Sequence, residues 1–558
     1  MGFLVSPGVD VNEVDLTNVI PAVSTSIGGI VGSFKWGPVE EVVSVGSEVE
    51  LVSSFGKPDS NNYGQWLQAA AFLQYANALN VYRYNSASLN NASTNGGTFL
   101  VKNSENYQSQ TLTNSPNDFF VGRYPGALGN SLEVCVITSD NYSDLNSPLQ
   151  GENANTVAIG AVDAAPSVGE IHIVVLDAGG LITGTTNTIL EVFQNLTATS
   201  GDKRDDGTSK YYIDVLETSS QWIWPTADVI STVNDDSPAG DYNFRLTGGS
   251  DGTAPATDAL QAVYATAFGD AETLDVNILI GPSGADTSSV SYAAANAVIS
   301  VASGRKDCVA VVSPPTTGSS GTALQSTPAT AVTNATTWGA GVTSNSYGIM
   351  TSTAVYVYDK YNDVYRWIGS AGNVAGLLAN VDNVAEPWFS PAGYNRGQLR
   401  GVVKLGYNPT SAQRDTLYKG RVNPLVSFPG QGIILFGDKT AQSKPSAFDR
   451  INVRRLFIVL EKAISTASKF QLFELNDEFT RAMFRNMTEP FLRDVKGRRG
   501  VTDFLVVCDE TNNTGEVIDT NRFVADIFIK PSRSINFITL NFIATRTGVE
   551  FSEIAGQQ

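Results

Sequence analysis

The chain has few of the residues that most enzymes use for catalysis. Its 558 residues include one histidine, His172, and three cysteines, Cys135, Cys308 and Cys508, which lie far apart. Without a C-x-x-C pair or a second histidine, the common zinc sites lose their ligands, and His172 is the sole histidine that could act as the base of a Ser-His-Asp triad. His172 lies in the strand-like run EIHIVVLD, so we expect a structural histidine. The cysteines lie in apolar runs, which predict buried free thiols in a reducing compartment.

A complete phosphate-binding loop is also missing. Gly432 and Gly437 have the spacing of a P-loop, but Asp438 occupies the position of the required lysine, where an acid would repel phosphate. We therefore predict no cofactor, no metal and no catalytic residue. No apolar run reaches the ~18 residues of a membrane helix, and MGFLVSPGVD has no basic region, so we expect neither a membrane span nor a secretion signal.

Charge is scarce and unevenly distributed. Charged residues make up 16% of the chain, and the net charge of −19 argues against nucleic-acid binding. Residues 1–394 carry 13 Lys and Arg against 38 Asp and Glu, whereas residues 395–558 carry 23 against 17. The basic C-terminal part predicts contact with an acidic partner, and a solvated surface on two unlike domains is the alternative.

The pattern of apolar residues predicts a mixture of α/β and β regions. Helices and strands alternate from residue 256, which favours a parallel sheet. The predicted helices are 61–79, 256–268, 288–303, 446–470 and 476–495, the last capped by Asn476. The predicted strands are 80–84, 132–138, 171–176, 211–215, 276–284, 308–315 and 353–361, the last as a further strand of the parallel sheet.

Both ends of the chain contain apolar strand candidates. The segments 523–529 and 535–545 are apolar on both faces, which indicates burial on both sides. Near the start, Val9, Val11, Val14 and Leu16 are interleaved with acidic residues. These strands either complete a sheet within their own domain or add to the sheet edge of a neighbouring molecule.

Several stretches together resemble the contractile tail sheath protein of myovirus-type bacteriophages. They are SFKWGPV, YDKYNDVYRW, SPAGYNRGQ, GDKTA, FDRINVRRLF, FELNDEFTR, VVCDETNNT and RSINFITLNFIAT. The resemblance is close over 1–84 and 340–558, looser over 245–340 and weak over 88–245. It implies a structural protein of the virion tail, assembled in the host cytoplasm, whose subunits stack as hexameric rings and contract. The implied partners are further copies of the chain, the tail tube protein, and the baseplate and tail terminator proteins.

The resemblance also implies that chain ends enter the sheets of neighbouring subunits. The expected interface residues are Val9, Val11, Val14, Leu16, Phe523, Ile527, Ile529, Ile535, Phe537, Ile538, Leu540 and Phe542. The charge split adds the expectation that Arg454, Arg455, Arg498 and Arg499 face the tube.

The expected fold class is α/β plus β, with several discontinuous domains. Residues 1–23 and 400–558 would form an inner α/β assembly domain completed by intermolecular strand exchange. Residues 24–87 and 246–399 would form a middle α/β domain, and residues 88–245 an outer β-rich insertion. The extra surface domain that longer relatives carry before the stretch matched by residues 119–134 is expected to be absent.

Two other functions stay open at this point. One is a tail-associated glycan hydrolase with paired catalytic carboxylates, and the other is a static, non-contractile tail shell.

Overall fold

The computed structural model describes residues 24–112, 118–139, 142, 154–227, 243–252, 257–282, 288–316, 327–536 and 538–539. Its strands are β1 Gly28–Gly32, β2 Val42–Val45, β3 Leu79–Arg83, β4 Leu89–Asn90, β5 Phe120–Gly122, β6 Leu132–Thr138, β7 Glu170–Asp177, β8 Thr188–Thr197, β9 Ile223–Pro225, β10 Asn243–Arg245, β11 Ser250–Asp251, β12 Ile278–Ile280, β13 Val309–Val312, β14 Gly348–Thr351, β15 Ala354–Asp359, β16 Val364–Gly369, β17 Val402–Leu405, β18 Val422–Asn423, β19 Leu425–Phe428, β20 Gly432–Leu435, β21 Val501–Val507 and β22 Asp526–Pro531.

The helices alternate with these strands over much of the chain. In the described residues they are α1 Glu48–Phe55, α2 Tyr63–Leu73, α3 Ser104–Gln108, α4 Ala154–Gly160, α5 Tyr212–Ser219, α6 Thr257–Phe268, α7 Ser288–Arg305, α8 Pro328–Gly341, α9 Ala371–Val384, α10 Ser411–Lys419, α11 Ile451–Ser468, α12 Glu478–Gly497 and α13 Gly515–Asp519. None of the described helices is long and apolar enough to cross a bilayer.

A seven-stranded sheet forms the largest core. Its strand order is β18-β14-β13-β12-β1-β3-β2, and every neighbouring pair is parallel except β2 and β3. One face packs against α1, α2, α9 and α11, and the other against α6, α7, α8 and α10. Burial on both faces explains the continuous apolar runs of its strands, such as VAVV in β13. The predicted parallel sheet is therefore present.

The residues between β3 and α6 have an apolar core of their own. A four-stranded antiparallel sheet, β10-β6-β7-β8, is accompanied by the pairs β5–β9 and β4–β11. Buried residues of β6 and β7 pack against α5 at Tyr212 and Leu216. Arg83, at the end of β3, is almost fully buried and donates hydrogen bonds to the carbonyls of Gly37 and Pro125, and so connects this region to the main sheet.

Two predicted strands behave differently in the structure. The segment 211–215 is the start of helix α5, because Tyr212 and Leu216, four residues apart, share the buried face. The segment 353–361 contains β15, which pairs with β16 and β17 in a separate antiparallel sheet. In β15, Tyr356 is half-buried and Tyr358 exposed, and the alternation leaves one face to solvent as antiparallel sheets allow.

The predicted boundary near residue 400 also differs. Strand β17 pairs with β15, and β18 is the edge strand of the seven-stranded sheet beside β14. Strands β17 and β18 therefore pack with the middle region, whereas Asp438 and Thr440 contact the residues directly before α11. The C-terminal part begins with α11 and contains α12 and the two-stranded ribbon β21–β22.

Candidate functional site

The potential metal ligands and nucleophilic thiols are dispersed over the described residues. No group of three or more His, Cys, Asp or Glu side chains that could hold a metal occurs among them. The three cysteines are free and buried, as predicted, and burial raises the pKa of each thiol. Protonated, enclosed thiols are poor nucleophiles and poor metal ligands.

His172 completes a bulge in the antiparallel sheet of the inserted region. The pairing of β7 with β8 shifts beside His172, which frees the backbone N–H of Asn195. The Nδ1 atom of His172 accepts that N–H at 3.0 Å, so Nε2 carries the proton and donates to the carbonyl of Ala164, also at 3.0 Å. The prediction of a satisfied structural histidine is confirmed.

Replacing this histidine tests the structural role. In a His172→Leu variant both backbone groups lose their partner, and we expect a loss of about 1–3 kcal/mol in the free energy of unfolding. Urea denaturation measures this, with His172→Gln, which keeps one donor and one acceptor, as the control. Equal stability of the two variants would contradict the hydrogen-bonding role.

The C-terminal core is built by two amphipathic helices. Helix α11 buries Leu456, Leu460 and Ile464, and α12 contributes Phe484 and Leu492 to the same cluster. Helix α12 is capped by Asp477, whose carboxylate accepts the N–H of Thr480 at 2.8 Å, and this cap lies one residue later than the predicted cap Asn476. Asn476 instead donates to the carbonyl of Arg522.

The ribbon β21–β22 lies over these helices and is apolar on both faces. Its inner face carries Val506, which is buried, and Ile527 and Ile529, which are half-buried against the helical core. Its outer face carries the cross-strand pair Leu505 and Phe528, exposed to 58% and 59%. No described strand pairs with the other edge of β22. A further strand could therefore pair with β22 and cover apolar surface that the two-stranded ribbon leaves open.

An apolar groove of about 460 Å³ lies between α11 and β22. Its lining is mostly apolar and comes from four elements of the C-terminal part: Phe457, Leu460, Glu461, Ile464, Ser465, Ser468, Gln471, Phe484, Phe523, Ala525, Ile527 and Ile529. We call it the α11–β22 groove. A strand added beside β22 would lie over this groove and cover its apolar wall.

The turn between α11 and α12 adds further exposed apolar surface. Phe470, Leu472, Phe473, Leu475 and Phe479 are all exposed, and the exposure of four of them reaches 69% or more. Such turns are normally polar. The turn directly follows the α11 wall of the groove in the chain.

A polar cluster holds the chain where it leaves β22. The buried carboxylate of Asp438 accepts hydrogen bonds from Arg450 at 2.9 Å, Tyr418 at 3.1 Å and the hydroxyl of Ser534 at 2.5 Å. The side-chain amide of Asn536 lies 3.0 Å from the Tyr418 hydroxyl. The acidic residue that argued against a P-loop is thus the centre of an anchor for residues 534–536, which we call the Asp438 anchor.

The structure places the predicted C-terminal interface residues in two groups. Ile527 and Ile529 line the groove together with Phe523, whose ring packs on Phe484 with centroids 5.5 Å apart. Ile535 and Ile538 are exposed to 81% and 78%, outside any described strand. The remaining predicted interface residues lie outside the described residues: Val9, Val11, Val14, Leu16, Phe537, Leu540 and Phe542.

Two of the four arginines predicted to face the tube are in the subunit interior. The Arg454 guanidinium lies over the rings of Phe448 and Tyr347, at 4.0 and 4.3 Å from their centroids. The Nη2 atom of Arg455 lies 2.7 Å from both carboxylate oxygens of Asp382, and Nη1 donates to the carbonyl of Leu378. These contacts hold α11 on α9 and on Tyr347, directly before β14, so neither guanidinium is available to a partner.

The other two arginines are on the surface. Arg498 pairs with Glu386 and Asp494, both at 3.1 Å, and Arg499 is exposed with a positive φ of 67°. Among the described residues Arg499 has no ion-pair partner. Of the four arginines expected to form a basic surface that faces the tube, only Arg498 and Arg499 are exposed, so this surface is smaller than predicted.

The C-terminal part thus combines an apolar groove with an edge of β22 that no described strand covers, which are features of a surface that assembles with another chain. Three stretches of the chain each match a family of tail sheath domains. Residues 25–83 match the tail sheath protein Gp18 domain III N-terminal region, residues 252–441 the phage tail sheath protein central domain, and residues 443–545 the phage tail sheath C-terminal domain.

Whole-length relatives agree with these matches. The tail sheath protein of Vibrio phage KVP40 is 33% identical, with 99% of this chain and 100% of that protein covered. The tail sheath protein of Enterobacteria phage T4 is 32% identical, with 99% of each covered. The chain belongs to the phage tail sheath protein family. It is a structural component of a virion tail and not an enzyme, which removes the hydrolase alternative.

The alignments with these relatives are longer than the chain. They extend over 683 and 678 positions, so both relatives contain residues without a counterpart here. The expected absence of one surface domain, like the place of the missing residues, stays a prediction.

Solved structures share the fold. The sheath tail protein of Desulfitobacterium hafniense superposes with a TM-score of 0.53 at 12% identity, with 94% of this chain and 100% of that one covered. A chain of the PVC sheath complex in its contracted state, from an extracellular contractile injection system, gives 0.51 at 12% identity, with 98% and 99% covered.

Proposed function

We propose that the chain polymerises as hexameric rings stacked around a tail tube, and that the resulting sheath contracts to drive the tube through the host envelope. Membership of the tail sheath family supports this proposal. Solved structures of the same fold include the PVC sheath in a contracted state and the six-fold symmetrised baseplate of the anti-feeding prophage.

The observation that carries the proposal is the open edge of β22 beside the α11–β22 groove. A strand from a neighbouring subunit would pair with this edge through its backbone and cover the apolar lining with its side chains. Backbone pairing would hold neighbours together while each subunit rotates as a rigid body. The extended sheath would be a metastable lattice behind a kinetic barrier, with contraction needing no nucleotide.

The proposed partners follow from the same assembly. The first ring would bind the baseplate, the last a tail terminator protein, and every ring the tube. Assembly would take place in the host cytoplasm, before the tail joins the virion.

Electron microscopy of purified tails before and after triggering tests contraction directly. We expect two lattices, a long narrow one and a short wide one, built from the same subunit fold. A single lattice under all conditions would identify a static tail shell instead.

The tube-facing role is tested at Arg499. An Arg499→Glu variant is expected to weaken co-sedimentation with purified tube about two- to fivefold at low salt, with the difference fading at high salt because exposed charges are screened. Arg499→Gln should lie between wild type and Arg499→Glu, and Arg204→Glu, on the inserted region, serves as the remote control. Equal tube binding by all variants would remove Arg499 from the proposed tube contact.

A further inference from the structure

Phe473 is the most unusual residue of the exposed turn between α11 and α12. Its side chain is fully exposed, and its φ of 72° is one that bulky residues rarely adopt. Residues in such conformations are concentrated at functional sites, because the surrounding structure has to hold them against the strain. A large ring held outward in water is typical of the anchor residue of a protein interface.

The same turn is acidic. Glu474, Asp477 and Glu478 are exposed among its apolar side chains, and Lys469 is the one cation in the sequence from 469 to 479. Among the described residues none of these three carboxylates forms an ion pair. A surface that complements the turn must therefore be apolar and must offer a cation.

The outer face of the sheet β16-β15-β17 has this chemistry. The ring of Tyr356 packs on those of Tyr365 and Trp367, with centroids 5.3 and 4.7 Å apart, and Tyr358 packs on Tyr365 at 5.0 Å. The ammonium of Lys404 lies 4.7 and 5.4 Å from the ring centroids of Tyr356 and Trp367. Tyr358, Tyr365 and Lys404 are exposed. We call these five residues the aromatic face.

The charge of Lys404 is not neutralised within the described part of the subunit, where no carboxylate forms an ion pair with it. Asp363 lies at the other end of the aromatic face, in the turn between β15 and β16, and accepts the hydroxyl of Tyr358 at 2.7 Å. The Lys404 end is thus a cation held on ring faces, which suits a carboxylate that arrives beside an apolar side chain.

A second copy of the chain is the occupant that the symmetry favours. Among the described residues no hydrogen bond, ion pair or ring contact joins the turn to the aromatic face. Two different surfaces of one chain that complement each other produce a heterologous contact, which repeats from copy to copy as a ring or a helix. Stacked rings need contacts of this kind.

Resting on the proposed function, we propose that the turn between α11 and α12 of one subunit docks on the aromatic face of a second copy. Phe473 packs on the rings, and Glu474 pairs with Lys404. This contact is separate from the open edge of β22.

A Phe473→Asn variant separates this role from a structural one. Asparagine tolerates a positive φ, so the thermal stability of the unassembled subunit should stay equal or rise. The critical concentration for assembly of the full chain should rise about thirtyfold, as for a central interface residue. Light scattering measures the critical concentration and calorimetry the stability. Leu181→Asn, which also removes an exposed apolar side chain, is the control and should assemble like wild type.

Charge reversal identifies the partner surface. Lys404→Glu and Glu474→Lys should each raise the critical concentration about three- to fivefold at low salt, and the double variant should return to about the wild-type value. Glu474→Lys combined with Arg414→Glu is the matched control, because Arg414 also lies over two rings, those of Phe428 and Phe436. This combination should not restore assembly.

Three results would overturn the inference. Phe473→Asn could assemble at the wild-type concentration, it could destabilise the unassembled subunit, or Arg414→Glu could restore assembly in place of Lys404→Glu. Electron microscopy of the wild type separates these failures from that of the proposed function. If the wild type forms rings, only the docking of the turn is wrong. If it forms none at any salt concentration, the proposed function is wrong and the docking with it.

Discussion

A chain that ends at Ser534 is expected to fold and to lose assembly. The truncation keeps β22 and the hydrogen bond from Ser534 to Asp438. It removes Ile535 and Ile538, whose side chains are exposed to 81% and 78% and so contribute little apolar burial to the isolated subunit. Exposed branched apolar side chains in a strand-like sequence are costly in water unless another chain covers them.

Negative-stain electron microscopy and thermal unfolding test this expectation together. Full-length chains should form rings or tubes, and the truncated chains should stay monomeric with an unfolding temperature close to wild type. A chain that ends at Asn521 is a different experiment, because it also removes Ile527 and Ile529 from the helical core and should lower stability. Rings formed by the Ser534 truncation at wild-type concentrations would show that the C-terminal segment is not shared between subunits.

Arg455→Met is expected to give the largest loss of subunit stability. The ion pair between Arg455 and Asp382 is about 95% buried on both sides, and it joins α11 to α9. Removing one partner leaves the other charge buried and uncompensated, which costs about 3–5 kcal/mol. Urea denaturation at neutral pH measures this. Arg454→Met is the neighbouring control, because Arg454 has ring contacts and no ion pair among the described residues, and it should lose less.

The pH dependence of this loss identifies its cause. Burial raises the pKa of Asp382, and Arg455 acts in the opposite direction. Without Arg455 the pKa rises further, so the folded variant holds a proton over a pH range where the unfolded chain does not. Its stability deficit relative to wild type should therefore be smallest near pH 4 and grow as the pH rises toward 8. A deficit that does not change with pH would point to lost packing.

Local patterns in the sequence were enough to predict many elements. The predicted strand 132–138 has the observed bounds of β6, and the helix predicted at 288–303 is α7 with two more residues. These two predictions are correct because an uninterrupted apolar run of strand length, or a long run with helical periodicity, fits few other secondary structures. The prediction of a strand at 211–215 is wrong. Ile213 and Val215 favour a strand, but the buried pair Tyr212 and Leu216 has the spacing of a helix.

The site could be predicted only in part because it joins distant segments. Ile527 and Ile529 were expected from the apolar strand, but the opposite wall comes from α11, 59 to 72 residues earlier. The burial of Arg455 depends on Asp382, 73 residues away, and no local signal identifies that pair. The exposed turn after α11 did have a signal, since KFQLFELNDEF places five large apolar residues where a polar loop is usual.

The Asp438 anchor also determines how the subunit would carry mechanical load. Asp438 follows β20 and Arg450 precedes α11, so the anchor is fixed to the rigid centre of the subunit on both sides. Tension on the chain beyond Asn536 would reach Ser534 and Asp438 before it reaches the hydrogen bonds between β21 and β22. Such tension would pass into the body of the subunit and would not unzip the ribbon from its end.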